Sequence, residues 1–177
     1  MVVTFPVAIT QVGWYGHYYH PLCRKFCIFC SSNMSSFAAL SNVYRPILFF
    51  ARLSATTTLN KNSIVKFDEV SVNEGNHFNS GDGIFVAPVY GTYQFSWTTI
   101  TTSSKLAETE LRVDNAIKET LHISLGAGII SGTKVVLCKV GKGDHVWIQT
   151  SHAYATNYFY VVNAAKSSFT GMLIHEL

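Results

Sequence analysis

The chain has 177 residues, 48% of them hydrophobic, which suits one domain of ordinary size plus an extension. Only 13% are charged, against roughly 25% in a typical soluble domain, and 14% are aromatic, so a coiled coil, a helical bundle and a disordered chain are excluded. The net charge of +3 sits in residues 1–45, where Arg24, Lys25 and Arg45 meet no acid, and the rest balances ten basic against ten acidic side chains, leaving no basic stripe for nucleic acid.

Residues 1–45 read as a leader of uncertain structure, with no sustained period of 2 or 3.6. Met1 to Ile9 is apolar but has no basic segment before it and no small-residue cleavage site after it, so a convincing secretory signal is missing. No apolar run approaches the roughly 18–20 residues of a membrane span. Cys23, Cys27 and Cys30 are spaced C-x3-C-x2-C, a pattern that holds iron–sulfur clusters when a large α/β barrel surrounds it, and no βα units follow. His17 and His20 stand close enough in sequence to complete a zinc set, but a second half at finger spacing is absent. Asn33-Met34-Ser35 is a glycosylation sequon in the same segment.

The character changes near Tyr44 to Pro46, and residues 46–177 read as one all-β domain of eight to ten strands. Thr92 to Thr99 puts Tyr93, Phe95 and Trp97 on one face and Thr92, Gln94, Ser96 and Thr98 on the other. Leu111 and Val113 alternate with Glu110 and Arg112, Asp114-Asn115 turns the chain, and Thr120 to Leu125 returns. Gly126 to Gly132 reads as a loop, because the glycines miss the dinucleotide spacing and a strand follows instead of a helix. Val136, Cys138 and Val140 share an inner face, which makes Cys138 a small buried hydrophobe. The turn Gly141 to Asp144 leads to a strand through Val146 and Ile148, and Phe169 to Ile174 closes the domain with Gly171 inside it.

One linked set of spacings goes beyond fold class. Phe67, Asn73, Phe78, Phe85, Gly91, Tyr93 and Phe95 stand as F-x5-N-x4-F-x6-F-x5-G-x-Y-x-F, with Trp97 two residues on. This resembles the signature of the globular head of complement component C1q. Phe50 to Ser54, the Gly143-Asp144-His145-Val146-Trp147 run and Ser168 to Ile174, which contains Phe169 and Gly171, are similar to that family's first strand, its turn-strand and its closing strand. The tumour necrosis factor family shares the fold and matches these spacings less well. On physical grounds these residues serve the core and turns: aromatics bury large areas, the Tyr93 hydroxyl seeks a backbone partner, and Asp144 holds its turn.

The resemblance implies a ten-stranded jelly-roll β-sandwich that assembles as a homotrimer, is secreted, and acts as a recognition module. With no Gly-X-Y repeat, the chain is similar to head-only, lectin-like members of innate immunity. The expected ligand is a carbohydrate or microbial surface, and the alternative is a protein receptor engaged by a cerebellin-like or tumour-necrosis-factor-like trimer. An enzyme is not expected, since no nucleophile elbow frames a Ser-His-Asp set. Tyr154, Asn157 and Tyr158, in the loop His152 to Tyr160, are the candidate ligand contacts, with packing inside the sheet as the competing role. No cofactor is expected. Calcium is possible by resemblance, although no carboxylates cluster in the sequence to hold it.

Overall fold

The structure, a computed structural model, describes residues 46–177. Cys23, Cys27, Cys30, His17, His20 and Asn33, with the rest of the leader, lie outside the described residues. The alternating runs form twelve strands: β1 Leu48–Arg52, β2 Thr57–Asn60, β3 Glu69–Glu74, β4 Phe78–Asn79, β5 Ile84–Val86 and β6 Gly91–Thr102, then β7 Lys105–Val113, β8 Ala116–Leu125, β9 Ile129–Val140, β10 His145–Thr150, β11 Thr156–Phe159 and β12 Ser168–Glu176. Ten of them make two five-stranded sheets, ordered β3-β1-β12-β6-β9 and β4-β5-β10-β7-β8, and β11 pairs with β2 as a separate ribbon. The chain crosses repeatedly between the sheets, as a jelly roll requires.

The core lies between the two sheets. Tyr93, Phe95 and Trp97 of β6 are fully buried, and the polar residues between them are half-buried on the outer face. Phe49 of β1 stacks on Phe78 at 4.6 Å, lies 5.2 Å from Phe85 and meets the edge of Phe169 at 4.9 Å. Each fully buried ring of this kind contributes about 1.5–3 kcal/mol. The indole N–H of Trp97 donates to Thr109 Oγ1 at 2.9 Å, which ties β6 to β7 across the core.

Two readings change at the segment boundaries. The stretch Gly126 to Gly132 is not loop throughout, because β9 starts at Ile129 and Gly132 packs against Ile123 of β8, where a Cβ would come within 2.6 Å. The stretch His152 to Tyr160 contains β11, whose partner β2 has the sequence TTLN with one apolar residue and so no readable alternation.

Candidate recognition surfaces

The outer face of the β3-β1-β12-β6-β9 sheet is unusually apolar. Strand register sets Leu48, Met172, Gln94 and Leu137 in one row and Val72, Phe50, Thr170, Ser96 and Val135 in the next. Val135 is 60% exposed and Leu137 64%, both on β9, which is the sheet's edge. Apolar side chains displayed on an edge strand invite a second chain. The opposite margin is polar: Arg52 reaches Glu69 at 2.5 Å, and Lys166 pairs with the same carboxylate. The Lys166 bond, helped by Arg52, holds Glu69 below the usual carboxylate range.

The β2–β11 ribbon carries the tyrosines. Asn157 is fully buried: its Oδ1 accepts the Glu108 N–H at 2.8 Å and its Nδ2 donates to the Tyr154 carbonyl at 3.2 Å. With no exposed surface and both ends of its amide bonded inside the fold, Asn157 is removed as a ligand contact. Tyr154 and Tyr158 stay half-exposed. The Tyr154 ring lies 5.3 Å from His122, whose Nδ1 sits 3.0 Å from Glu108 Oε2. Tyr158 stacks near Tyr160 at 6.4 Å, with Lys105 Nζ 5.8 Å from its centroid. Two separate sets result, Tyr154 beside the His122–Glu108 pair and Tyr158 with Tyr160 beside the Lys105 ammonium.

A cleft of about 660 Å³ opens beside β2, with Leu53, Leu59 and Ile64 in its walls and Lys66 and Asp68 at its charged side. Partial burial pushes the Asp68 carboxyl up, but bonds from the Ser54 hydroxyl at 2.5 Å and amide at 2.9 Å outweigh it and hold it low. That acid is committed to clamping the chain after β1.

The signature residues occupy structural positions. Phe67, Phe78, Phe85, Tyr93, Phe95, Trp97 and Phe169 are buried. The Asn73 amide donates to the Phe78 carbonyl and accepts its N–H, closing the β3–β4 turn. The Tyr93 hydroxyl donates to the Val89 carbonyl at 2.9 Å, and burial pushes its pKa up. Asp144 Oδ2 accepts the Gly141 N–H at 2.8 Å, and Gly143, at φ +89°, needs the left-handed conformation. A Cβ on Gly91 would strike the His175 carbonyl, and one on Gly171 would strike two core rings. Trp147 is half-buried on the outer face of the second sheet, its Nε1 donating to Gln149 Oε1 at 3.2 Å. Nearby, Glu110 also faces outward yet is only 4% exposed, with Arg112 Nη1 3.6 Å away; the sequence pattern marks this face as solvated and does not reveal that covering. Burial pushes the Cys138 thiol up, partly offset by Lys118.

No three His, Cys, Asp or Glu side chains among the described residues converge to hold a metal ion. No helix among the described residues is long and apolar enough to cross a membrane.

Comparison with known proteins agrees with this architecture. The C1q domain model matches residues 48–174. Complement C1q tumor necrosis factor-related protein 2 of Mus musculus is 31% identical over 112 residues, covering 63% of this chain and 37% of the relative. Heavy metal-binding protein HIP of Mytilus edulis is 32% identical over 120 residues, covering 66% of this chain and 54% of the relative. The chain therefore spans between about a third and about half of these curated relatives. Among solved structures, the globular domain of zebrafish complement 1qA superposes with a TM-score of 0.59 at 18% identity, over 75% of this chain and 99% of that one. Eiger TNF from S. frugiperda gives 0.57 at 9% identity, over 75% and 95%, which supports the shared jelly roll. The aromatic signature, the sheet order and the family match converge, and the chain belongs to the C1q domain family, whose domains are non-enzymatic recognition and signalling modules.

Proposed function

We propose that residues 46–177 form a secreted, homotrimeric recognition module of innate immunity that binds carbohydrate on microbial surfaces in a lectin-like way. The apolar outer face bearing Val135 and Leu137 carries this reading, because it needs covering and a second and third copy would cover it symmetrically. Three weak sites on one rigid particle gain avidity without any new contact. The half-exposed Tyr154 with His122 and Glu108, and separately Tyr158 with Lys105, are side chains suited to sugar rings and hydroxyls. A glycan array probed with the full chain tests the reading: binding to a defined set of glycans is expected, and silence across the array refutes it. A second reading, a trimeric ligand for a protein receptor, is favoured by the similarity to the C1q tumor necrosis factor-related proteins and Eiger TNF. Array silence together with saturable binding to a single cell-surface protein would establish that alternative.

A further inference from the structure

The outer face of the second sheet holds a groove of about 510 Å³. His145 of β10 pairs with Val86 of β5, and Val86 N–H donates to the His77 carbonyl at 2.9 Å, so His77, Val86 and His145 lie abreast. The two histidine backbones are two strand spacings apart, about 10 Å. Val86, 39% exposed, forms the floor between them with Ile84 and Pro88. Asp82 and Asn79 close one side.

The polar groups are held in place before any ligand arrives. Asp82 Oδ1 accepts the Ile84 N–H at 2.9 Å, Asp82 Oδ2 accepts from Asn79 Nδ2 at 2.8 Å, and Asn79 Oδ1 accepts the Gly81 N–H at 2.9 Å. The His77 ring lies against Gly75, where a Cβ would come within 2.6 Å of it, and meets the Phe85 ring edge-on at 6.5 Å. Gly75 also has φ +83°, so the turn that seats this imidazole needs glycine twice over. His145 Nδ1 stands 3.4 Å from Asp114 Oδ1, which leaves Nε2 as its remaining polar atom. Ligand sites typically combine an apolar floor with a few convergent polar groups in a volume of roughly 300–1,000 Å³.

We propose that this groove binds a neutral pyranose sugar, the aliphatic floor taking its carbon-rich face and the Asp82, Asn79, His77 and His145 side chains taking its hydroxyls. Carboxylate, amide and imidazole together supply donors and acceptors for hydroxyls, which do both. The lining contains no Lys or Arg and does contain a carboxylate, which disfavours an acidic sugar. The imidazoles and carboxylates here do not converge as a three-ligand metal set. The groove lies on the opposite sheet from the apolar face, so a trimer built on that face would leave all three copies open. This inference rests on the lectin reading and gives it an address distinct from the tyrosine ribbon.

The test is an NMR titration of the full chain with methyl α-mannoside, methyl β-galactoside and methyl β-N-acetylglucosaminide, and separately with zinc chloride, on wild type, Val86→Lys, His145→Ala and Tyr158→Ala. Val86 and His145 are both exposed, so neither substitution should move the melting temperature, and either variant alone suffices for the test. Expected is millimolar binding of at least one sugar, with shifts at the His77 and His145 rings, weakened about tenfold or more by Val86→Lys and His145→Ala, a loss of about 1.4 kcal/mol, and retained in Tyr158→Ala. Sugar binding that survives both groove variants, or that Tyr158→Ala abolishes, overturns the groove and leaves the lectin reading standing. Absence of binding by all three sugars overturns the groove, and the lectin reading falls with it only if the glycan array is silent as well. Ring shifts with zinc and none with sugar make the groove a cation site and overturn the proposal.

Discussion

Replacing Gly171 with alanine should destabilise the domain, although alanine is normally the better strand residue. Gly171 sits in the middle of β12, outside the left-handed region, so its backbone tolerates a side chain. Space does not: an added Cβ would stand 2.4 Å from Phe49 Cε1 and 2.7 and 2.8 Å from Phe95 Cε1 and Cδ1. Neither ring can swing freely. Phe49 is locked between Phe78, Phe85 and Phe169, and Phe95 between Tyr93, Phe85 and Phe169. Loss of glycine's chain entropy in the unfolded state returns about 0.5–1 kcal/mol, and forcing a methyl group into a filled core costs about 1–3 kcal/mol. The overpacking term wins, by about 1–2 kcal/mol, which for a domain of this size lowers Tm by about 3–10 °C. Thermal melts followed by circular dichroism, at one fixed protein concentration because assembly makes Tm concentration-dependent, measure it. Gly171→Ala melting at or above wild type would refute the claim that these rings close the space over β12.

Tyr93→Phe should cost about 1–3 kcal/mol in chemical denaturation, since it leaves the Val89 carbonyl without its hydroxyl donor; an unchanged midpoint would remove the bond from the account. Asp68, Glu69 and Glu119 are all held below their ordinary values of 3.8, 4.5 and 4.5. Carboxylates depressed in the folded state lend stability that is fully present above the unfolded values and is lost as pH falls through the folded ones. Tm should therefore be flat down to about pH 5 and fall below it, and a Tm that rises on acidification contradicts the sign. Cys138, its thiol pushed up by burial, should react with iodoacetamide far more slowly at neutral pH than a free thiol, with alkylation accelerating only on unfolding.

How much was readable depends on the range of the determining contact. Strand β6 is written in its own alternation, because the core needs Tyr93, Phe95 and Trp97 on one side and water needs the others. The Asp144 turn is likewise local, three residues from donor to acceptor. The β2–β11 ribbon was invisible because Thr57 to Asn60 owes its strand state to pairing with a segment almost a hundred residues away. The sequence leaves Asn157 open between ligand contact and packing inside the sheet, and only the path of β7 alongside β11 shows that its oxygen caps the Glu108 N–H. The groove between His77 and His145 has no sequence spacing at all. It exists because β4, β5 and β10 lie side by side in one register.

Light scattering of the full chain after size exclusion decides whether the apolar face of β9 builds a trimer. Wild type should show three times the single-chain mass of 19.6 kDa, and the Val135→Lys, Leu137→Lys double variant 19.6 kDa with an intact cooperative melt. A single-chain mass for wild type at micromolar concentration, or a trimer that survives both lysines, would contradict it.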